Sequence, residues 1–174
     1  PGFLFDTKGS CIFADTEEKL LELSALLNSK VSQFLLNILC PTLDYSMVGV
    51  KKLPAILLKE SIETVKKAKS IAEVDWNTSE LARGFQSLPY CSSANESLNS
   101  AWLNWVSVCN DNRQQLQRLE EENNSLFISA YNLNGELSPE VPDDQITLVR
   151  ADREKDSQRL ISYAIGCMMG RYSL

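Results

Sequence analysis

Residues 94–131, ANESLNSAWLNWVSVCNDNRQQLQRLEEENNSLFISAY, decide the fold. Within them Leu98, Trp102, Trp105, Cys109, Asn112, Leu116, Leu119, Asn123, Leu126 and Ala130 recur at alternating steps of four and three. That spacing puts side chains on one face of a helix. Ser93-Ala94-Asn95-Glu96 is a capping box at its start, and neither Gly nor Pro interrupts the run before Gly135. A helix over 94–131 would be roughly 55 Å long. One compact domain needs no helix of that length, so it is expected to project and pair in an antiparallel coiled coil. Asn112 and Asn123 sit on the seam, where a buried Asn costs stability but fixes register.

Residues 57–75 supply the expected partner helix, with Leu58, Ile62, Val65, Lys69, Ala72 and Trp76 at the same steps. Upstream, Gly2-Phe3-Leu4-Phe5 and Cys11-Ile12-Phe13 flank Thr7-Lys8-Gly9-Ser10 and read as a β-hairpin. Asp15 followed by Glu18 opens a helix carrying Leu20, Leu21, Leu23, Leu26 and Leu27. Asn28-Ser29 breaks it and caps a second helix through Val31, Phe34, Leu35, Ile38 and Leu39, which Pro41 ends. Residues 42–52 read as loop or short strand, and residues 76–90 as irregular, with Gly84 and Pro89 as breakers. Asn134-Gly135 signals a turn, and Pro139 and Pro142 make an extended linker. Ile146-Thr147-Leu148 is a candidate strand, and residues 152–169 form a last helix. The expected class is mainly α (α+β). It has four parts: a hairpin-and-helix segment over 1–56, a helical spacer over 57–132, a linker over 133–149 and a closing helix over 150–174.

The chain has 174 residues, 44% of them apolar, so it can bury a core. It opens on Pro1 and closes on Arg171-Tyr172-Ser173-Leu174, so both ends read as cuts inside a longer protein. No apolar run approaches the roughly 20 residues of a membrane span. Five cysteines at odd count, with no Cys-x-x-Cys pair, point to reduced thiols and a cytoplasmic setting rather than a disulfide framework or zinc site. The absence of histidine removes the commonest general base and metal ligand. Net charge is −6, but residues 51–69 hold six lysines against two acids, while residues 111–156 hold eleven acids against five bases. One phosphate-facing edge on an acidic body fits this asymmetry; solvated helix faces of mixed sign fit it equally.

A cofactor-holding Gly-rich loop follows a strand, and an Asn/Asp-Pro-Pro-aromatic turn that grips a flipped base needs two prolines and an aromatic. Cys40-Pro41-Thr42-Leu43 lacks the second proline and the aromatic, and Gly166 to Gly170 follow no strand. No catalytic, cofactor or metal site is therefore expected. Gly166 and Gly170 in one helix would instead make a flat strip for close packing on a neighbouring domain. Lys51 and Lys52, after a loop with Thr42, Tyr45 and Ser46, suit phosphate contacts at a loop–helix junction; an ordinary exposed loop is the alternative.

Residues 25–54, ALLNSKVSQFLLNILCPTLDYSMVGVKKLP, and residues 160–174, LISYAIGCMMGRYSL, resemble the PglX family, the adenine-specific DNA methyltransferases of BREX phage-defence systems. Residues 123–144, NNSLFISAYNLNGELSPEVPDD, are similar to the same family. The matching region follows the catalytic domain and comprises the end of a target recognition domain and a coiled-coil spacer. Type I restriction specificity subunits share the pattern more loosely. The chain departs from the family at Cys40, at Val48-Gly49-Val50 and at Arg83. The resemblance implies a parent enzyme that uses S-adenosylmethionine to methylate double-stranded DNA. It implies as partners the missing methyltransferase domain and other phage-defence proteins, with no membrane. It makes Thr42, Tyr45, Ser46, Lys51 and Lys52 DNA-proximal. The alternatives are a type I specificity-like module and a coiled-coil scaffold that does not touch DNA.

Overall fold

In a computed structural model, which describes residues 11–40, 47–91 and 97–172, the chain forms six α-helices among those residues. They are α1 (Glu17–Leu27), α2 (Lys30–Leu39), α3 (Met47–Lys51), α4 (Ser61–Trp76), α5 (Leu98–Ala130) and α6 (Arg153–Met168). Single 3-10 turns lie at Pro89–Cys91 and Asp143–Gln145. The described residues contain no strand. Of the expected hairpin, residues 1–10 lie outside the described residues, and Cys11, Ile12 and Phe13 are not strand. Ile146, Thr147 and Leu148 are not a strand either: Ile146 and Leu148 are buried and Thr147 is exposed. Alternate burial needs no neighbouring strand, so this period-two pattern misleads. Among the described residues the fold is mainly α.

Two compact units divide the chain: Pro1–Lys67 with Leu119–Val141, and Ala68–Arg118 with Pro142–Leu174. In the first, Thr16 rather than Asp15 caps α1, its side chain accepting from the Lys19 N–H at 3.2 Å. Glu17 and Glu18 in the first turn suit the helix dipole. Ser29 caps α2 as its sequence position requires, accepting from the Ser32 N–H. Ala25, Leu26, Val31, Leu36, Leu53, Phe127 and Ile128 form the core, with Val50, Leu58, Val65 and Tyr131 packed against it. The core explains α3: Gly49 is buried and Val50 faces the cluster, so burial overrides the strand preference of Val48 and Val50. The expected loop or strand at 47–51 is a short helix.

In the second unit Leu88, Tyr90, Ala101, Trp105 and Cys109 make the core, joined by Phe85, Trp102, Val149, Leu160 and Tyr163. The seam read on α5 holds from Trp105 through Asn123, which are all buried or half-buried. Beyond Asn123 it shifts to Phe127 and Ile128, while Ala130 is exposed. On α4 the expected stripe is displaced. Ser61 and Thr64 are buried, whereas Lys69 and Ala72 are exposed and Trp76 is 64% exposed. Asp75 faces inward instead and accepts the Val149 N–H at 3.1 Å. No described helix is long and apolar enough to cross a membrane.

Candidate functional site

Lys51 closes α3 and Lys52 follows it; both are exposed, and neither has an ion-pair partner among the described residues. The next residue, Leu53, is buried in the core. Lys52 and Leu53 donate backbone N–H bonds to Gly49 and Val50 at 3.0 and 3.2 Å, which tightens the end of the helix. Beyond Leu53, the Tyr131 hydroxyl donates to the Pro54 carbonyl and accepts from the Ile56 N–H at 3.1 Å. Two water-facing ammonium groups therefore sit directly before an anchored segment. Lys59, Lys66 and Lys67 are also exposed in this unit, and Lys66 pairs with Glu63 at 3.3 Å. Thr42, Tyr45 and Ser46, expected beside the lysine pair, lie outside the described residues, as does the capping box at 93–96.

The segment Asn123-Asn124 ties α5 to three other pieces of this unit. Asn123 donates to the Ala25 carbonyl of α1 at 2.9 Å. Asn124 accepts from the Lys30 N–H at the start of α2 at 2.9 Å and donates to the Pro139 carbonyl at 3.1 Å. Lys30 reaches the Glu140 carbonyl. Asn132 then takes a left-handed conformation with φ 57°, and Leu133 N–H returns to the Ile128 carbonyl at 2.9 Å. This Schellman turn, rather than Asn134-Gly135, stops the helix. Tyr131 and Asn124 were not singled out in the sequence. The only trace was the tandem Asn-Asn and a tyrosine at a helix end.

In the second unit, Asp156 is 1% exposed. Its carboxylate accepts from Trp102 Nε1 at 3.1 Å and from the Asp152 N–H at 3.0 Å, and it pairs with Arg159 at 3.4 Å. Tyr90 donates to the Asp156 carbonyl at 2.8 Å. Burial first, and the nearby Asp156 charge second, push the Tyr90 phenol up to about 12. Burial likewise raises the Asp75 carboxyl, against the pull of the Val149 N–H and Arg159. It lifts the Cys109 thiol to about 11. Burial is the first cause of all three shifts. Asp143 runs the other way: desolvation pushes its carboxyl up, but Arg113 and Arg150 together hold it below the ordinary value.

The closing segment has a local explanation. Gly170 adopts φ 72°, and Arg171 N–H bonds the Gly166 carbonyl at 2.9 Å, a second Schellman turn. The turn lays Tyr172 over Gly166, where an added Cβ would lie 2.5 Å from the Tyr172 ring. Tyr172 stacks on Tyr163, meets Phe85 edge-on and donates to Glu80 at 3.1 Å. Gly166 and Gly170 thus form no flat strip: one is covered by the chain's own tyrosine and the other ends the helix. Among the described residues, no group of three His, Cys, Asp or Glu side chains could hold a metal ion.

No family model matches the chain. The chain is 36% identical over 181 residues to the adenine-specific methyltransferase PglX of Lacticaseibacillus casei (strain Zhang). It is 28% identical over 193 residues to the adenine-specific methyltransferase BrxX of Escherichia coli O9:H4 (strain HS). Each match covers 99% of this chain, and the chain spans 15% and 16% of those relatives. The likeness read from three motifs therefore extends along the whole sequence, and the chain is PglX-like.

Proposed function

We propose that this PglX-like chain is a non-catalytic recognition and spacer segment of a site-specific N6-adenine DNA methyltransferase acting in BREX-type phage defence. In this reading double-stranded DNA meets the lysine-bearing edge of the first unit, and α5 is the spacer. Methyl transfer from S-adenosylmethionine belongs to the parent's catalytic domain. Other phage-defence proteins are partners of the whole assembly, in the cytoplasm. The observation that carries the reading is the Lys51–Lys52 pair, exposed and held by Leu53 and Tyr131. Phosphate contacts position a protein on DNA, and an ammonium on a fixed backbone loses less freedom when it makes one. Both relatives are adenine-specific methyltransferases, which supplies the reaction class of this reading.

The test is fluorescence anisotropy of this chain with duplex DNA at about 50 and 200 mM salt. Wild type is expected to lose affinity steeply with salt. Lys51→Ala/Lys52→Ala is expected to bind more weakly, with a salt slope shallower by about 2. An unchanged double variant would sink the placement of DNA on this edge.

One observation favours a second reading, a scaffold that works through protein contacts. Ile161, Ile165, Met168 and Met169 on and just after α6 are 51–87% exposed, and residues 160–170 contain no charge. Such a face suits an apolar neighbour, for example the methyltransferase domain or a specificity-subunit partner. Indifference to DNA, with tight protein partnering, would support it.

A further inference from the structure

We infer that Tyr131 is the positioning residue of the Lys51–Lys52 pair, so that one hydroxyl at the end of α5 sets how the proposed phosphate contact is presented. The functional half of this inference rests on the DNA reading above; the structural half rests on geometry alone.

Lys51, Lys52, Pro54, Ala55 and Ile56 are all exposed, and within this stretch only Leu53 is buried. A segment held at one side chain can pivot. The Tyr131 hydroxyl adds a second point, because it uses both of its hydrogen-bonding functions on the backbone either side of Ala55. It donates to the Pro54 carbonyl and accepts from the Ile56 N–H. The tyrosine is itself fixed. Its N–H bonds the Phe127 carbonyl at 2.9 Å, its ring packs on the core, and the left-handed Asn132 locks the turn that follows. Residues 75 positions apart in sequence are thereby joined. Two of the stretches that resemble the same family, the one ending Lys-Lys-Leu-Pro and the one beginning Asn-Asn-Ser-Leu-Phe, meet at this bond. A phenylalanine at 131 would keep the ring contact and lose both bonds.

The experiment compares wild type, Tyr131→Phe and Lys51→Ala/Lys52→Ala in the whole chain, by amide hydrogen exchange and by DNA anisotropy at two salt concentrations. For Tyr131→Phe the Ile56 amide should exchange about tenfold faster, while Leu36 and Ile128 amides keep wild-type protection. DNA affinity should fall about threefold to tenfold with the salt slope unchanged, because both lysines still displace counterions. The double lysine variant should flatten the slope instead. Wild-type exchange at Ile56 would overturn the structural half. Loss of protection at Leu36 and Ile128 would make Tyr131 a general stability residue and overturn it too. Wild-type DNA affinity in Tyr131→Phe, with weakened binding in the lysine variant, would overturn the functional half alone. If the lysine variant also binds as wild type, the DNA reading itself fails and takes the functional half with it, while exchange at Ile56 still decides the structural half.

Discussion

The two units are held together by different chemistry. In the first, mostly neutral groups bond backbone: Asn123 to Ala25, Asn124 to Lys30 and Pro139, Tyr131 to Pro54 and Ile56, with Glu121 adding a carboxylate, to the Val141 N–H. In the second, carboxylates do this work: Asp156 gathers Trp102, Arg159 and the Asp152 N–H, Asp75 takes the Val149 N–H, and Asp143 takes Arg113 and Arg150. The neutral pins spend no charge, and Lys51 and Lys52 stay on the surface without an ion-pair partner among the described residues. The carboxylate pins consume the arginines beside them. Lys51 and Lys52 thus stand beside pins that carry no charge.

The strongest way to break the comparison is at the cores. Phe127→Ala is expected to cost about 3–5 kcal/mol. Urea unfolding followed by exchange of first-unit amides such as Leu36 would show it. Asp156→Ala should cost about 3 kcal/mol, since it leaves the Trp102 and Asp152 N–H groups without acceptors in a buried place. Tryptophan emission reads it directly, because Trp76, Trp102 and Trp105 all lie in the second unit. Asn124→Ala should cost about 2 kcal/mol and Asn123→Ala about 1, in the ratio of the bonds each loses.

A pH series sharpens the contrast. The folded Tyr90 phenol is raised from 10.0 to about 12, so its neutral form is favoured in the fold. Its contribution is fully present below pH 10 and is lost as pH climbs towards 12, on the order of 2 kcal/mol. Tyr90→Phe should remove that slope from the tryptophan-monitored transition. The smallest effect belongs to Lys51→Ala/Lys52→Ala, which should leave stability within about 0.5 kcal/mol while changing DNA affinity. A large loss of stability would mean that the pair is not free on the surface.

Helices with a long uninterrupted run or a plain cap were legible in the sequence. Ser29 capped α2, residues 98–130 formed one helix, and α6 began after Asp152. Where a pattern was weak, tertiary contacts decided. On α4 the need of the Val149 N–H for the Asp75 carboxylate turned Trp76 outward, although a tryptophan at heptad spacing reads as core. At α3 the burial of Gly49 and Leu53 prevailed over two β-branched residues. The lysine pair could be found from composition and spacing. Its support could not, because Tyr131 acts from 75 residues away and nothing local marks it.

The folding of Tyr172 onto Gly166 has an evolutionary consequence. The two positions share one volume, so neither can drift alone. Relatives that place a larger residue at the glycine should carry a smaller or differently directed one at the tyrosine. Paired substitution there would be the historical trace of a contact that one sequence by itself does not reveal.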